Sequence, residues 1–207
     1  MERPDGDDAG IQSRRSMGRA IESVQQQTLT SWELVIVDDG STDTTLEVAQ
    51  RYALSDPRIK IVRNESNVGI GKSRNHALAH STGRFITPLD SDDWYHPERL
   101  ERLVVSADEH NAHVLSDDLL VVRDGDDAPT TTLSELCSEP LDQPLHIDMA
   151  ALLRRLGIER DGIALGLTKL LISRQFLVDT ASPTTPRCER ARTTGSSPTA
   201  LLPAQRS

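Results

Sequence analysis

Between Trp32 and Leu89 short apolar runs alternate with helical periods, and two of those runs end in clusters of acid. Trp32–Val37 (WELVIV) is rich in β-branched residues, which reads as a buried strand, and Asp38-Asp39-Gly40-Ser41 follows it directly. Arg84–Leu89 reads the same way and runs into Asp90-Ser91-Asp92-Asp93, and Ile59–Arg63 is a further short strand. Met17, Ala20, Ile21 and Val24 fall at i, i+3, i+4 and i+7, one face of a helix. Leu46, Ala49 and Ala53 share a second helical face, with Ser41, Thr42 and Asp43 as candidate N-caps and Pro57 as its stop. Ile70, Ala77 and Leu78 mark a third helix with Gly83 placed as its C′ residue. Leu100, Leu103, Val104 and Ala107 mark a fourth, opened by Pro97 at N1. Ala112–Leu115 and Leu119–Val122 are candidate strands, and further elements are expected near Asp148–Leu156 and Leu165–Ser173. Strands alternating with helices predict an α/β chain with a mainly parallel sheet and helices on both faces.

The pattern is confined to the middle of the chain. Residues 1–15 are polar without a hydrophobic period and are expected to be disordered, while residues 16–178 form the patterned domain. Residues 179–207 are built largely from Thr, Ser, Pro, Ala and Arg, with no Ile, Val or aromatic residue, and are expected to be a disordered tail. No apolar stretch approaches the ~20 residues of a membrane-spanning helix. Met1–Arg15 also lacks the apolar core of a secretory signal. The expected location is cytoplasmic, with peripheral membrane attachment left open. A net charge of −9 argues against a nucleic-acid partner. Two distant cysteines, Cys137 and Cys188, argue against a disulfide framework or a zinc site.

Ligands of open parallel sheets bind outside the carboxyl ends of the strands, where both acidic clusters emerge. Carboxylates held close repel one another unless something positive lies between them. Mg²⁺ or Mn²⁺ with a substrate phosphate is the usual solution; ordinary turn acids and helix caps are the plain alternative. Asn67-Val68-Gly69-Ile70-Gly71, followed by Lys72 and Arg74, can present amides to a phosphate at a helix N-terminus. It can equally be a tight turn whose glycines supply positive φ, and taken alone that second reading is favoured. Trp94 and Tyr95 can pack a sugar or base face, or staple the following helix to the sheet. The histidines read as solvated surface.

Two segments, AIESVQQQTLTSWELVIVDDGSTDTT and NESNVGIGKSRNHALAHSTGRFITPLDSDDWYHPERLERLV, together resemble glycosyltransferase family two. The resemblance is strong from about Arg19 to Val105 and thinner to about Val178. It implies a GT-A, Rossmann-like fold and transfer of a sugar from a nucleotide-diphosphosugar of UDP or GDP type to a hydroxyl of a glycan, lipid or protein. It further implies that Asp38 and Asp39 contact the donor's nucleoside and that Lys72, Arg74 and Asn75 lie in a basic segment near the donor. Asp90-Ser91-Asp92 would be the DxD motif. Asp92, with Asp90 and Asp93, would serve Mn²⁺ or Mg²⁺, and Asp90 would also serve the ribose. The cation would stabilise the departing diphosphate, and the anomeric centre would be inverted with a carboxylate base.

The chain departs from that family pattern at two places. The family's first apolar strand lies between the two acid-bearing strands, and Met1–Arg15 offers only Ile11 as a β-former. That strand is therefore expected to be missing, leaving apolar edges unpaired. The family's acidic base, usually in a Glu-Asp pair beyond about Leu177, has no counterpart in the tail, so no catalytic base is assigned. Truncation at both ends is the expectation, with a nucleotide-binding fragment that transfers nothing as the alternative function. A phosphorelay receiver also places paired acids after a strand, but the methionine–proline turn and the lysine–proline pair of that fold are not found.

Overall fold

The computed structural model describes residues 8–41, 44–117, 122, 169–180 and 199–204. Its helices are α1 (Asp8–Gln25), α2 (Thr45–Ser55), α3 (Ile70–His80), α4 (Arg99–Glu109) and α5 (Arg174–Thr180). Its strands are β1 (Leu34–Asp38), β2 (Ile59–Arg63), β3 (Phe85–Asp90), β4 (Val114–Leu115), β5 (Leu171–Ser173) and β6 (Thr199–Ala204). All of them belong to one compact unit, Met1–Leu115 with Leu171–Ser207. The second unit, Ser116–Leu170, holds none of them, so the elements expected at Leu119–Val122 and Asp148–Leu156 lie outside the described residues or outside regular structure.

One sheet organises this unit, in the order β2-β1-β6-β3-β5-β4. β1 and β2 pair in parallel from Leu34↔Ile59 to Asp38↔Arg63. β6 is antiparallel to both β1 and β3, and β5 is antiparallel to both β3 and β4. Thus β1 to β4 share one direction, as the βαβ pattern predicts, but two reversed strands intercalate and the ladders are mostly antiparallel. The expected parallel layout is therefore realised only in part. The mixed layout arises because β5 and β6 come from beyond residue 170 and are not products of βαβ crossovers.

β1 (LVIVD) shows why alternation matters in a strand buried on both sides. Leu34 and Ile36 pack with Met17, Ile21 and Val24 of α1 and Ala49 of α2. Val35 and Val37 face the other way, into a cluster with Ala77 of α3, Ile86 and the partly buried Leu177 of α5. Helices therefore cover both faces, as expected. Each such fully buried aliphatic side chain stabilises the fold by about 1.5–3 kcal/mol. A third cluster joins Phe85 and Leu171 to Leu103, Val104 and Ala107 of α4. No helix among the described residues is long and apolar enough to cross a membrane.

The largest departure is β6. It lies in the 179–207 segment expected to be patternless, and it occupies the slot between β1 and β3 that the missing first strand was expected to leave open. The physical reason is the demand of two apolar strands for backbone partners, which Thr-Ala-Leu-Leu-Pro-Ala meets. At the other end, α1 begins at Asp8, inside the 1–15 segment expected to be disordered. Its packed face, Met17 to Val24, nucleates the helix, and extension toward the N-terminus then adds one hydrogen bond per residue.

Smaller differences are local. α2 has Thr44 as its N-cap with no side-chain cap bond, and the Ser41 amide upstream donates to Asp38 Oδ1. α3 ends at Ser81 in extended backbone; Gly83 is no C′ residue, since its N–H and that of Thr82 donate to Glu33. Ile70 is exposed and takes no part in a core face. α4 starts at Arg99, two residues after Pro97.

Asp56, the C-cap of α2, ties three elements together. It accepts hydrogen bonds from Arg58 Nε and Nη2 at 3.0 and 2.8 Å and from Gln25 Nε2 of α1 at 3.3 Å. Hydrogen bonding from Arg58 outweighs burial and pushes its pKa down to about 2. A depressed carboxyl contributes stability that is complete above the ordinary range near ~3.9 and is lost as pH falls through the folded value. The urea midpoint of Asp56→Asn should therefore lie below that of the parent at pH 7. That gap should close between about pH 4 and pH 2, as followed by circular dichroism.

Candidate functional site

The acidic clusters sit where two strands of common direction end. Thr199 of β6 is in register with both Val37 and Asp90, so the ends of β1 and β3 stand level with one strand between them. With neighbouring strands about 4.8 Å apart, the two clusters lie roughly 10 Å from each other across the same edge.

Asp38 and Asp39 are adjacent and do different things. The Asp38 side chain is 3% exposed. Its Oδ1 accepts the Ser41 amide at 2.9 Å. Its Oδ2 lies 3.3 Å from Arg63 Nε but receives no aligned hydrogen bond, so this oxygen keeps acceptor capacity. Parallel register explains the ion pair, because Asp38 and Arg63 are the closing residues of β1 and β2.

Asp39 is more fully engaged. Its Oδ1 accepts Asn64 Nδ2 and the Val68 amide, both at 2.8 Å, and its Oδ2 accepts the Gly69 amide at 2.9 Å. Burial would raise the Asp39 pKa, but the Val68, Asn64, Gly69 and Ser73 hydrogen bonds outweigh it and hold it below the ordinary value. Asn64 extends the network: its Nδ2 also reaches Ser73 Oγ at 3.1 Å, and its Oδ1 lies 2.6 Å from His76 Nδ1. The amides of Val68 and Gly69 are thus aimed at a carboxylate. The Asn67–Gly71 turn is the tight connection of the second reading, with Gly69 at φ +86° as N-cap of α3. Gly40 must also be glycine. Its φ is +80°, and a Cβ would stand 3.2 Å from the Asn67 nitrogen, so the two loops at this edge pack backbone to backbone.

On β3, Asp90 Oδ1 lies 3.6 Å from Arg74 Nη2 of α3, a contact that joins the basic segment to the second acidic cluster. Lys72 and Asp92 are exposed, and Asp93 is half-buried with its amide donated to the Asp90 carbonyl. Tyr95 is a staple: its amide donates to Ser23 Oγ of α1 and its hydroxyl to the Pro88 carbonyl at 2.6 Å. Trp94 carries the Arg19 guanidinium over its ring at 3.6 Å. A cavity of about 10 Å³, room for about one water, is lined by Asp38, Ser41 and Thr45 with apolar neighbours.

Among the described residues no three His, Cys, Asp or Glu side chains gather into a metal cage. The donor chemistry of Asp90, Asp92 and Asp93 nevertheless fits Mg²⁺ or Mn²⁺. Such ions are held by one or two carboxylates while substrate phosphates and waters supply the remaining oxygens. Sequence reading missed Arg63 and Asn64, although both follow from placing the ends of two parallel strands side by side. The reading of the histidines as solvated surface holds for His76 and His80, both exposed and one turn apart on α3, where each imidazole Nδ1 is engaged, by Asn64 and by the His76 carbonyl.

The family model for glycosyl transferase family 2 matches residues 13–167. The chain belongs to glycosyltransferase family 2. It is 41% identical over 97 residues to EpsE of Bacillus subtilis, covering 46% of this chain and 35% of that protein. It is 36% identical over 148 residues to the succinoglycan biosynthesis protein ExoO of Rhizobium meliloti, covering 70% and 42% respectively. Among solved structures, residues 1–349 of Staphylococcus aureus TarS in complex with UDP superpose with a TM-score of 0.52 at 32% identity, covering 62% of this chain and 37% of that one. The fold is accordingly that of a GT-A glycosyltransferase. The chain spans roughly a third to two fifths of the length of these three relatives.

In this family 2 domain the Asp39 network makes a direct prediction. Asp39→Asn replaces an acceptor oxygen with an NH₂ group facing backbone N–H donors. The loss should destabilise the chain by about 1–3 kcal/mol in urea melts. Hydrogen exchange should quicken at Val68 and Gly69 while β2 stays protected.

Proposed function

We propose that the chain is the donor-binding part of a metal-assisted glycosyltransferase that moves a sugar from a nucleotide-diphosphosugar to an acceptor hydroxyl with inversion. The observation that supports this most directly is the shared edge, where Asp38 and the Asp90–Asp93 cluster close two strands of common direction and Arg74 stands beside Asp90. UDP bound to TarS favours a uridine diphosphate donor, with GDP the other candidate. Asp38 and Asp39 would serve the nucleoside, Asp39 also through the turn it holds. Asp92, with Asp90 and Asp93, would hold Mn²⁺ or Mg²⁺, which supplies charge stabilisation to the diphosphate oxygens when bound.

In the transfer, the bond between the anomeric carbon and the diphosphate oxygen breaks while a bond to the acceptor oxygen forms on the opposite face. The electron pair leaves with the diphosphate, so stabilising charge on that leaving group lowers the barrier. Lys72 and Arg74 of α3 would provide it. The acceptor's proton passes to a carboxylate base that no described residue is assigned to, and the acceptor, whether glycan, lipid or protein, is set by the same unassigned part.

Calorimetric titration with UDP and GDP, with and without Mn²⁺, tests the reading. One nucleotide should bind only with Mn²⁺, and Asp92→Asn should weaken it at least tenfold while leaving the thermal melt unchanged. Binding of the donor sugar without its hydrolysis or transfer would identify the non-transferring nucleotide-binding fragment. Absence of binding by the folded parent would overturn the proposal.

A further inference from the structure

β6 has a second consequence that bears on the same edge. Among the described residues β1 and β3 make no ladder with each other, and the strand ladder between the β2-β1 half of the sheet and the β3-β5-β4 half runs through β6. β6 is paired with β3 along its whole length, Thr199↔Asp90 to Ala204↔Phe85. With β1 it is paired only at Thr199, Ala200 and Leu201, opposite Val37, Ile36 and Val35. The bridge between the halves is therefore made at the acidic end and nowhere else along β6. Pro203 stands beyond the reach of β1, at a level where a missing N–H costs that strand nothing, which is how a proline is tolerated in a sheet interior.

Resting on the donor reading above, we propose that β6 is a positioning element of the donor site. By seating between β1 and β3 it fixes the separation of Asp38 from the Asp90–Asp93 cluster, and donor affinity depends on that seating. A nucleoside diphosphate that spans both clusters needs them at one spacing. A single intervening strand sets it at two ladder widths, roughly 10 Å. With β6 out, nothing in the ladder holds β1 and β3 at a fixed distance, and both present open edges. Because seating and donor binding favour the same arrangement, the coupling works both ways: the donor must stabilise β6 as much as β6 stabilises the donor complex.

Two measurements on the full chain test this. In the first, hydrogen exchange of the parent is compared with and without saturating UDP or GDP and Mn²⁺. Protection of the Thr199–Leu201 amides should rise at least fivefold on binding, while the Ile59–Arg63 amides of β2 change less. In the second, Ala200→Pro, at the level where β6 meets both neighbours, is compared with Ala204→Pro, at the level where it meets β3 alone. At a temperature well below both melts, Ala200→Pro should weaken the nucleotide at least tenfold, and Ala204→Pro should stay within twofold of the parent. A purely structural role predicts losses that track the two melting temperatures, and that pattern would sink the proposal. So would unchanged protection at Thr199–Leu201 in a parent that binds nucleotide, which also decides the matter should Ala200→Pro fail to fold. A folded parent that binds neither nucleotide overturns the donor reading itself, a distinct outcome.

Discussion

The burial of β1 is the constraint from which the rest follows. Five consecutive residues, Leu34 to Asp38, are at most 2% exposed, so the strand requires helices on both faces and a paired strand on each edge. α1 and α2 cover one face and α3 with α5 the other, while β2 and β6 take the edges. An acid at the end of such a strand is carried into a dry environment by its neighbours, where isolated charge is expensive. Asp38 meets that cost with the Ser41 amide and the Arg63 guanidinium. The site's electrostatics are in this sense a by-product of the core: the apolar run decides where the carboxylate sits, and the register with β2 decides which cation faces it.

Local pattern made α1 to α4 and β1 to β3 legible. Met17, Ala20, Ile21 and Val24 are buried as their spacing predicts, and β2 has the bounds read from Ile59–Arg63. These segments carry their own period, and apart from Ile70 of α3 each packs the face that the period defines. β6 carried no comparable signal, because Thr-Ala-Leu-Leu-Pro-Ala is short, holds a proline and lies in a polar tail. Its strand character comes from two partners more than a hundred residues away, which no local window contains. The same holds for the site. Carboxylates at strand ends can be read from the chain, but the division of labour between Asp38 and Asp39 rests on which amides fold back toward them. That in turn depends on Gly69 adopting positive φ and on Gly40 letting the Asn67 backbone approach.

The two ion pairs at this edge differ in what it takes to part them. Asp38 is shielded, and removing Arg63 would leave its buried carboxylate with the Ser41 amide but without the cation that faces it. Arg74 and Asp90 are each a third or more exposed and 3.6 Å apart, so water already screens them and the pair is worth about 0–1 kcal/mol. An incoming diphosphate competes for Arg74 on favourable terms, because a guanidinium binds phosphate oxygens in a bidentate fork that a carboxylate at this distance does not engage. On the donor reading, the exposed pair is then a resting arrangement that binding exchanges for two new partners: phosphate for Arg74, and a cation for the released Asp90. The shielded pair, by contrast, keeps the floor of the site unchanged throughout. A site that must both recognise a nucleoside and accept a diphosphate with its counter-ion has reason to combine one fixed carboxylate with one that is cheap to free, and the ends of β1 and β3 differ in burial in that way.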